Sequence, residues 1–297
     1  MVKIHKRNTI DAERWDETVW RESGMPYFYS AFLDAVNPTW QALISEDYQS
    51  IFPIPIKTYL GIEVARQPLL CQQLGLLGGN SKDFFQSIQW VKSEIRWIQL
   101  TLGLPLSTSW ESLEKEAKKS KLTLEKRITY RLDFRDQQQH PWENISDHHR
   151  RHIKKFQSNG CHIAPISSLA CIHFFEEHQG KKLKLPQSFY HRFKKIADLE
   201  GEPFRVKCWG AFEGLHLRSV MAVLECSGWR VYWLSATDEV GKKQSAAQGL
   251  VYHGLSEAFE AKCQWDFEGG MKAGLGRFYA GFGASSVAYA YLKGWSL

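Results

Sequence analysis

Asp266 and Glu268 are separated by one residue in the stretch QWDFEGGMKAGLGRFYAGFG, 264–283, where Trp265 and Phe267 take the alternate positions. Apolar and acidic residues alternate as on a half-buried strand, so both carboxylates are expected on one face, looking into one space. Like charges at that spacing discourage each other's ionisation. They can lift one carboxylate to a basicity suited to deprotonating an amine as it attacks an ester or thioester. The same acids could instead cap the helix that follows or pair with Arg277 and Lys272. Tyr279 adds a phenol, a candidate acid or donor to a developing oxyanion, at a spacing that also suits a core ring. Asp266, Glu268 and Tyr279 are therefore the candidate catalytic residues.

Other polar groups are candidates for binding. Gln67, Gln72 and Gln73 sit in an otherwise apolar extended stretch, placed either to hold an acceptor through neutral hydrogen bonds or to satisfy backbone groups at a bulge. Arg150, Arg151, Lys154 and Lys155 could grip phosphate oxygens, arginine through a bidentate fork and lysine as a point charge, and Arg277 completes the substrate-binding set. The first four belong to a block, 148–195, with ten Lys and Arg against two acids, Glu176 and Glu177. A single-sign block favours a polyanion such as nucleic acid, a phosphorylated cofactor or a membrane face, or else is a solvated helix surface. His148, His149 and His152 share one helix but lack further ligands, so they read as basic surface and no metal site is expected. No G-x-S-x-G elbow marks a hydrolase.

These residues need elements to carry them. Gly269 and Gly270 permit a sharp exit from the strand, and 274–280 places Leu275, Phe278 and Tyr279 at the spacing of a short amphipathic helix. Strand, glycine turn and helix together bring the acids to the end of a sheet, where α/β folds open a crevice. Upstream, 11–22 reads as a helix with Trp15, Val19 and Trp20 inward. Residues 40–44 and 51–56 read as strands, the second demoted to an edge or bulge by Pro53 and Pro55. An extended stretch at 63–77 precedes a helix capped by Asn80 or Ser81. A strand at 94–103, a charged helix at 109–120 and an alternating strand at 122–134 complete the first half. The polar QQQHPWEN segment sets the expected boundary, giving domains 1–145 and 146–297.

The second half opens with a basic helix from Ser146, stopped by Asn159 and Gly160. Helices follow at 168–178 and 188–199, then strands at 205–212, 216–226 and 229–236. A polar loop, TDEVGKKQ, leads to a helix at 245–261, and a closing strand is expected at 287–292.

Composition narrows the classes. At 297 residues the chain exceeds the roughly 150 of one typical domain, consistent with two. With 43% hydrophobic and 24% charged residues, and with 12 Trp, 11 Tyr and 17 Phe, it is an ordered globular chain and not a disordered one. The start, MVKIHKRNTI, has no apolar h-region and no run of about 18 apolar residues occurs, so a cytoplasmic protein without a membrane span is expected. The six cysteines form no CxxC pair, as expected for reduced thiols.

Four segments, WDETVWRES, RQPLLCQQLGLLGG, HHRRHIKKFQSNG and DFEGG…GLGRFYAGFGA, are spread over the whole chain. In them the sequence resembles tandem-GNAT proteins of the FemAB-like class. The resemblance implies an α/β (α+β) fold of two tandem GNAT-like domains, each a mixed, mostly antiparallel sheet flanked by helices. It implies an N-acyltransferase that moves an acyl or aminoacyl group from acyl-CoA or aminoacyl-tRNA to an amine, on a small molecule or a cell-wall precursor, with no tightly bound cofactor. GNAT enzymes hold the CoA pyrophosphate on a Q/R-x-x-G-x-G/A turn. Gln244, Ala247 and Gly249 match that turn in part, with alanine at the first glycine, and Lys242 and Lys243 could add charge. In Fem transferases that this sequence resembles, the aromatic of the last helix precedes a lysine, whereas Phe278 precedes Tyr279, whose phenol carries no positive charge. The different-class alternative is a non-catalytic GNAT-like module that binds RNA or another polyanion through the basic second half.

Overall fold

The computed structural model describes residues 3–105, 107–199 and 201–295. The chain divides into two compact units, Met1–Arg127 with Ala288–Leu297, and Ile128–Val287. This differs from the expected divide at 145/146. The residues around QQQHPWEN stay in the second unit because Phe134 and Ile145, on either side, are both buried in its core. The last residues return to the first unit because Ala290–Trp295 pair one for one with Trp97–Leu102.

In the first unit, β1 (Lys3–Lys6) leads to α1 (Ala12–Arg21), whose first amides donate to the Asp11 carboxylate, and then to α2 (Ser30–Val36). Trp15 and Val19 are buried as expected. Trp20, one step round the helix, is 67% exposed. β2 (Gln41–Ile44) and β3 (Ile51–Ile54) join β1 in an antiparallel three-stranded sheet with β3 at its edge. Proline lacks the amide a ladder needs, and Pro55 separates β3 from β4 (Ile56–Tyr59). β5 (Ile62–Arg66) and β6 (Leu74–Gly75) account for part of the extended stretch. Asn80 and Asp83 form a reciprocal capping box on α3 (Ser81–Glu94). β7 (Trp97–Gly103) and α4 (Trp110–Lys119), capped by Ser109, precede β8 (Thr123–Asp133), inside which the chain passes to the second unit. Phe52, Phe84, Ile88, Leu100 and Leu292 centre the core between α3 and the sheet.

The second unit begins with α5 (Asp147–Ser158), capped by Ser146. β9 (Cys161–Pro165), unforeseen in the sequence because its alternation is short, pairs with β10. α6 (Ser168–Phe175) runs through a π-helical turn, Glu176–Gly180, into α7 (Lys181–Leu183), and α8 (Gln187–Ala197) follows. β10 (Phe204–Glu213), β11 (His216–Cys226) and β12 (Trp229–Thr237) form an antiparallel meander. The expected TDEVGKKQ loop is instead largely helical: Asp238 caps α9 (Glu239–Gln244), and α10 (Ala246–Glu260) follows after Ser245. α10 lies close on the core because Gly254 faces the Trp265 ring, where a Cβ would stand 2.5 Å from it. β13 (Gln264–Asp266) pairs parallel with β12 and antiparallel with β8. α11 (Ala273–Ala280) and β14 (Ser285–Trp295) close the chain.

Candidate active site

β13 is only three residues long, so the expected alternation stops at Asp266. Register sets Asp266 directly across from Arg131 of β8, with both side chains on one face. The Asp266 carboxylate is fully buried. It accepts from Thr129 Oγ1 at 2.5 Å and Arg131 Nε at 2.6 Å. It also accepts the Glu268 amide at 2.7 Å. The Gly269 amide in turn donates to Thr129 Oγ1 at 3.2 Å. Asp266 is thus a sealed ion pair and not the accessible base its sequence position suggested, and its partner is Arg131 rather than Arg277 or Lys272. A buried carboxylate holding three donors is worth more as a fixed anchor than as a proton acceptor, since opening it would strand an uncompensated charge.

What Asp266 anchors is Glu268. Its backbone sits at φ +55, a left-handed conformation that strains a residue with a Cβ and that here depends on the bond from its amide to Asp266. The two acids therefore do not share a strand face. Asp266 points into the protein, and Glu268, half-buried, lies on the turn beyond. Gly270, at φ +143, packs against Tyr130, where a Cβ would come within 2.5 Å of the ring. Gly274 stands in open space. The corner between β13 and α11 is therefore tight on the Tyr130 side and open on the other.

Tyr279 is buried, with its ring stacked on Phe267 at 4.4 Å. It is a layer of the core. Burial, then the neighbouring Tyr232, Glu268 and Asp266, push its phenol well above the ordinary range, so it is a neutral donor and never a base at physiological pH. Beyond Val231 and Asp266 the paired β12 and β13 part, since β12 runs on to Thr237. Tyr232, Phe267 and Tyr279 pack together there, with centroids 5.8 Å and 6.3 Å from Tyr232. Tyr232 is pushed up to about 12 by the same burial.

Among the described residues no side chain caps the first amides of α10. An anion site there needs open amides and local positive charge. The Gly241 amide already donates to Asp238 at 2.6 Å, and Gln244 donates its side-chain amide to Glu213. Lys242 is paired with Glu239 at 2.6 Å, while Lys243 is exposed. Ala247 is half-buried, and Gly249 faces the Phe156 ring, where a Cβ would stand at 2.5 Å. Ser245, buried at φ +64, hydrogen-bonds His152 Nδ1 at 2.7 Å. The acids near this turn are neutralised, Glu213 and Asp238 by Arg218 at 2.9 Å and 3.2 Å and Glu239 by Lys242.

The basic helix is mixed. Arg150 pairs with Asp147 at 2.8 Å, whereas Arg151 and Lys154 on α5 and Arg277 on α11 are exposed. His149 departs from the expected surface role. It is buried, its Nε2 donates to the Phe278 carbonyl at 2.8 Å, and desolvation lowers its pKa. In the first unit, Gln67 accepts the Thr101 amide at 3.2 Å and donates to the Cys71 carbonyl at 3.0 Å, tying irregular backbone as a bulge residue would. Gln73 is buried and donates to Gln72 Oε1 at 2.9 Å, and Gln72 Nε2 is buried without a hydrogen-bond partner among the described residues. Thr129 and Arg131 carry no sequence signal for this role, because their partner lies 137 and 135 residues away.

No protein-family model and no curated protein sequence matches the chain. Solved structures match it over nearly its whole length. FemX superposes with a TM-score of 0.69 at 10% identity, covering 98% of this chain and 97% of that one. The chain has the FemAB-like tandem GNAT fold. A tandem GNAT protein from the clavulanic acid biosynthesis pathway, solved without AcCoA, matches at 0.58 and 10% identity over 99% and 98% of the two chains. L-PGS from Bacillus licheniformis matches at 0.56 and 10% identity over 95% and 91%.

Proposed function

We propose that this chain is an N-acyltransferase that moves an acyl or aminoacyl group from an activated ester to an amine, with Glu268 as the base. The observation that carries this reading is the strained Glu268 backbone, held by the buried Asp266, Thr129 and Arg131 network at the corner of a GNAT-like sheet. Non-glycine residues held in sparsely populated backbone regions cluster at functional sites. In the proposed step the amine nitrogen attacks the carbonyl carbon, the new C–N bond forms, and the bond from that carbon to the leaving oxygen breaks. Glu268 takes the proton lost by the amine and passes it to the leaving oxygen. Asp266 positions Glu268 and does not touch the reactants.

The donor is an aminoacyl-tRNA or an acyl-CoA, and the exposed Arg151 and Lys154 suit the phosphates of either. The acceptor is an amine on a small molecule or a cell-wall precursor. Single-turnover transfer from a charged tRNA pool and from acetyl-CoA to an amine panel tests this. Glu268→Gln should lower kcat about 10²–10⁴-fold with KM nearly unchanged. Transfer unaffected by Glu268→Gln would sink the assignment of the base. The exposed Arg151 and Lys154 favour one second reading, a non-catalytic module that binds RNA or another polyanion through the basic second half. It predicts no transfer by the wild-type chain together with salt-sensitive RNA binding that survives Glu268→Gln.

A further inference from the structure

The four-stranded part of the first unit's sheet has two unequal faces. β4 and β5 form a hairpin in which Tyr59 pairs with Ile62 and Ile56 with Ala65, and β7 continues the sheet with Val64 opposite Trp97 and Arg66 opposite Gln99. β14 then sets Trp295 opposite Trp97 and Lys293 opposite Gln99. Side chains alternate along each strand. One face therefore carries Ala65, Ile98, Leu100 and Leu292, all buried in the core. The other carries Tyr59, Ile62, Val64, Arg66, Trp97 and Trp295, which with Leu60 and Gln99 line an open hollow of about 370 Å³.

That second face is apolar where a solvated sheet face should be polar. Leu60, at the hairpin tip, is wholly exposed, and Trp295 is 64% exposed. Leu60 also stands at φ +49, followed by Gly61 at φ +79. A two-residue hairpin turn with both residues at positive φ favours Asn-Gly, because leucine there is strained. Here leucine incurs the strain and gains no burial in return, so folding does not account for it. The charges at the hollow are basic, while further along the same face Arg127, over the Tyr291 ring, pairs with Glu125. Arg66 is the charged residue of the hollow, and Lys293 lies 5.5 Å above the Trp97 ring. Glu63 points to the opposite face, where it accepts from Gln41.

We propose that this uncovered sheet face docks on an anionic lipid bilayer. Leu60 and Ile62 enter the acyl boundary, Tyr59 and Trp295 lie at the headgroup level, and Arg66 and Lys293 meet the headgroup phosphates. Single-stranded nucleic acid would use the rings and cations but gives no role to an aliphatic tip, so the bilayer accounts for more of the face. The attachment is peripheral, since no helix of the described residues is long and apolar enough to cross a membrane.

The test is co-sedimentation of the full chain with vesicles of equal parts phosphatidylglycerol and phosphatidylcholine, against pure phosphatidylcholine. The wild type should bind the anionic vesicles, Leu60→Asn should weaken binding about tenfold or more, and Arg66→Glu should remove the preference for anionic lipid. Thermal unfolding separates this from misfolding, because asparagine suits the left-handed turn and Leu60→Asn should melt no lower than the wild type. Absent vesicle binding, or equal binding by Leu60→Asn, would overturn the proposal. So would binding of a single-stranded oligoadenylate that Trp295→Ala abolishes while vesicles remain unbound.

Discussion

Glu268 and Ser245 both lie in the second unit, both at positive φ without being glycine, yet they put that strain to opposite uses. At Ser245 the bend joins α9 to α10 and the side chain turns inward to His152. At Glu268 the backbone is held by Asp266 and the side chain is left half-exposed. The first site has paired the polar groups that precede it, Lys242 with Glu239 and Gln244 with Glu213. The second has spent its partners on fixing one carboxylate. Strain alone does not mark a site; at Glu268 it comes with a carboxylate that is half-buried and not enclosed.

The largest effect should come from removing what holds Glu268. Asp266→Ala leaves Arg131 and two further donors without their acceptor, and should destabilise the chain by about 3–5 kcal/mol in urea unfolding. A loss under about 1 kcal/mol would erase the distinction between an anchor and an ordinary surface acid. A sharper comparison replaces each strained residue by glycine. Glu268→Gly should relieve strain and cost little stability while abolishing turnover. Ser245→Gly should relieve strain, lose the His152 bond, change stability by about 1 kcal/mol or less and leave turnover intact. Paired unfolding and single-turnover measurements decide it, and loss of turnover in Ser245→Gly would restore the α9–α10 turn as part of the site.

The smallest effect concerns pH. Burial holds the His149 pKa below its ordinary 6.5, against the opposing hydrogen bond to Phe278. The folded state prefers the neutral ring, so its contribution is present above the unfolded pKa and is lost as pH falls toward the folded one. Melting temperature should therefore drop as pH is lowered from 7 through about 6. His149→Gln keeps a donor for the Phe278 carbonyl without titrating, and should flatten that part of the profile. An unchanged profile would assign the acid sensitivity to His152 or His253, which burial depresses in the same direction.

Local chemistry made much of the fold legible. Asp11, Asn80, Ser109 and Ser146 each cap a helix, because a short polar side chain satisfies first-turn amides whatever the tertiary setting. The TDEVGKKQ segment was misleading because its polarity reads as loop, although Asp238 three residues before Gly241 is itself a capping signal. The candidate site was legible only in position. The stretch from Trp265 to Tyr279 does form the corner, but alternation implied a longer strand than the three residues that pair.

By itself the sequence determined the starts of α1, α3, α4, α5 and α10, the meander of strands from 204 to 237 and the glycine corner after β13, since each depends on neighbours a few residues apart. Only the tertiary structure decided which of the two acids is sealed and which is presented. That choice rests on Thr129 and Arg131, brought across from β8 by strand register, and the free energy of a buried charge depends on the partners that surround it and not on its position along the chain.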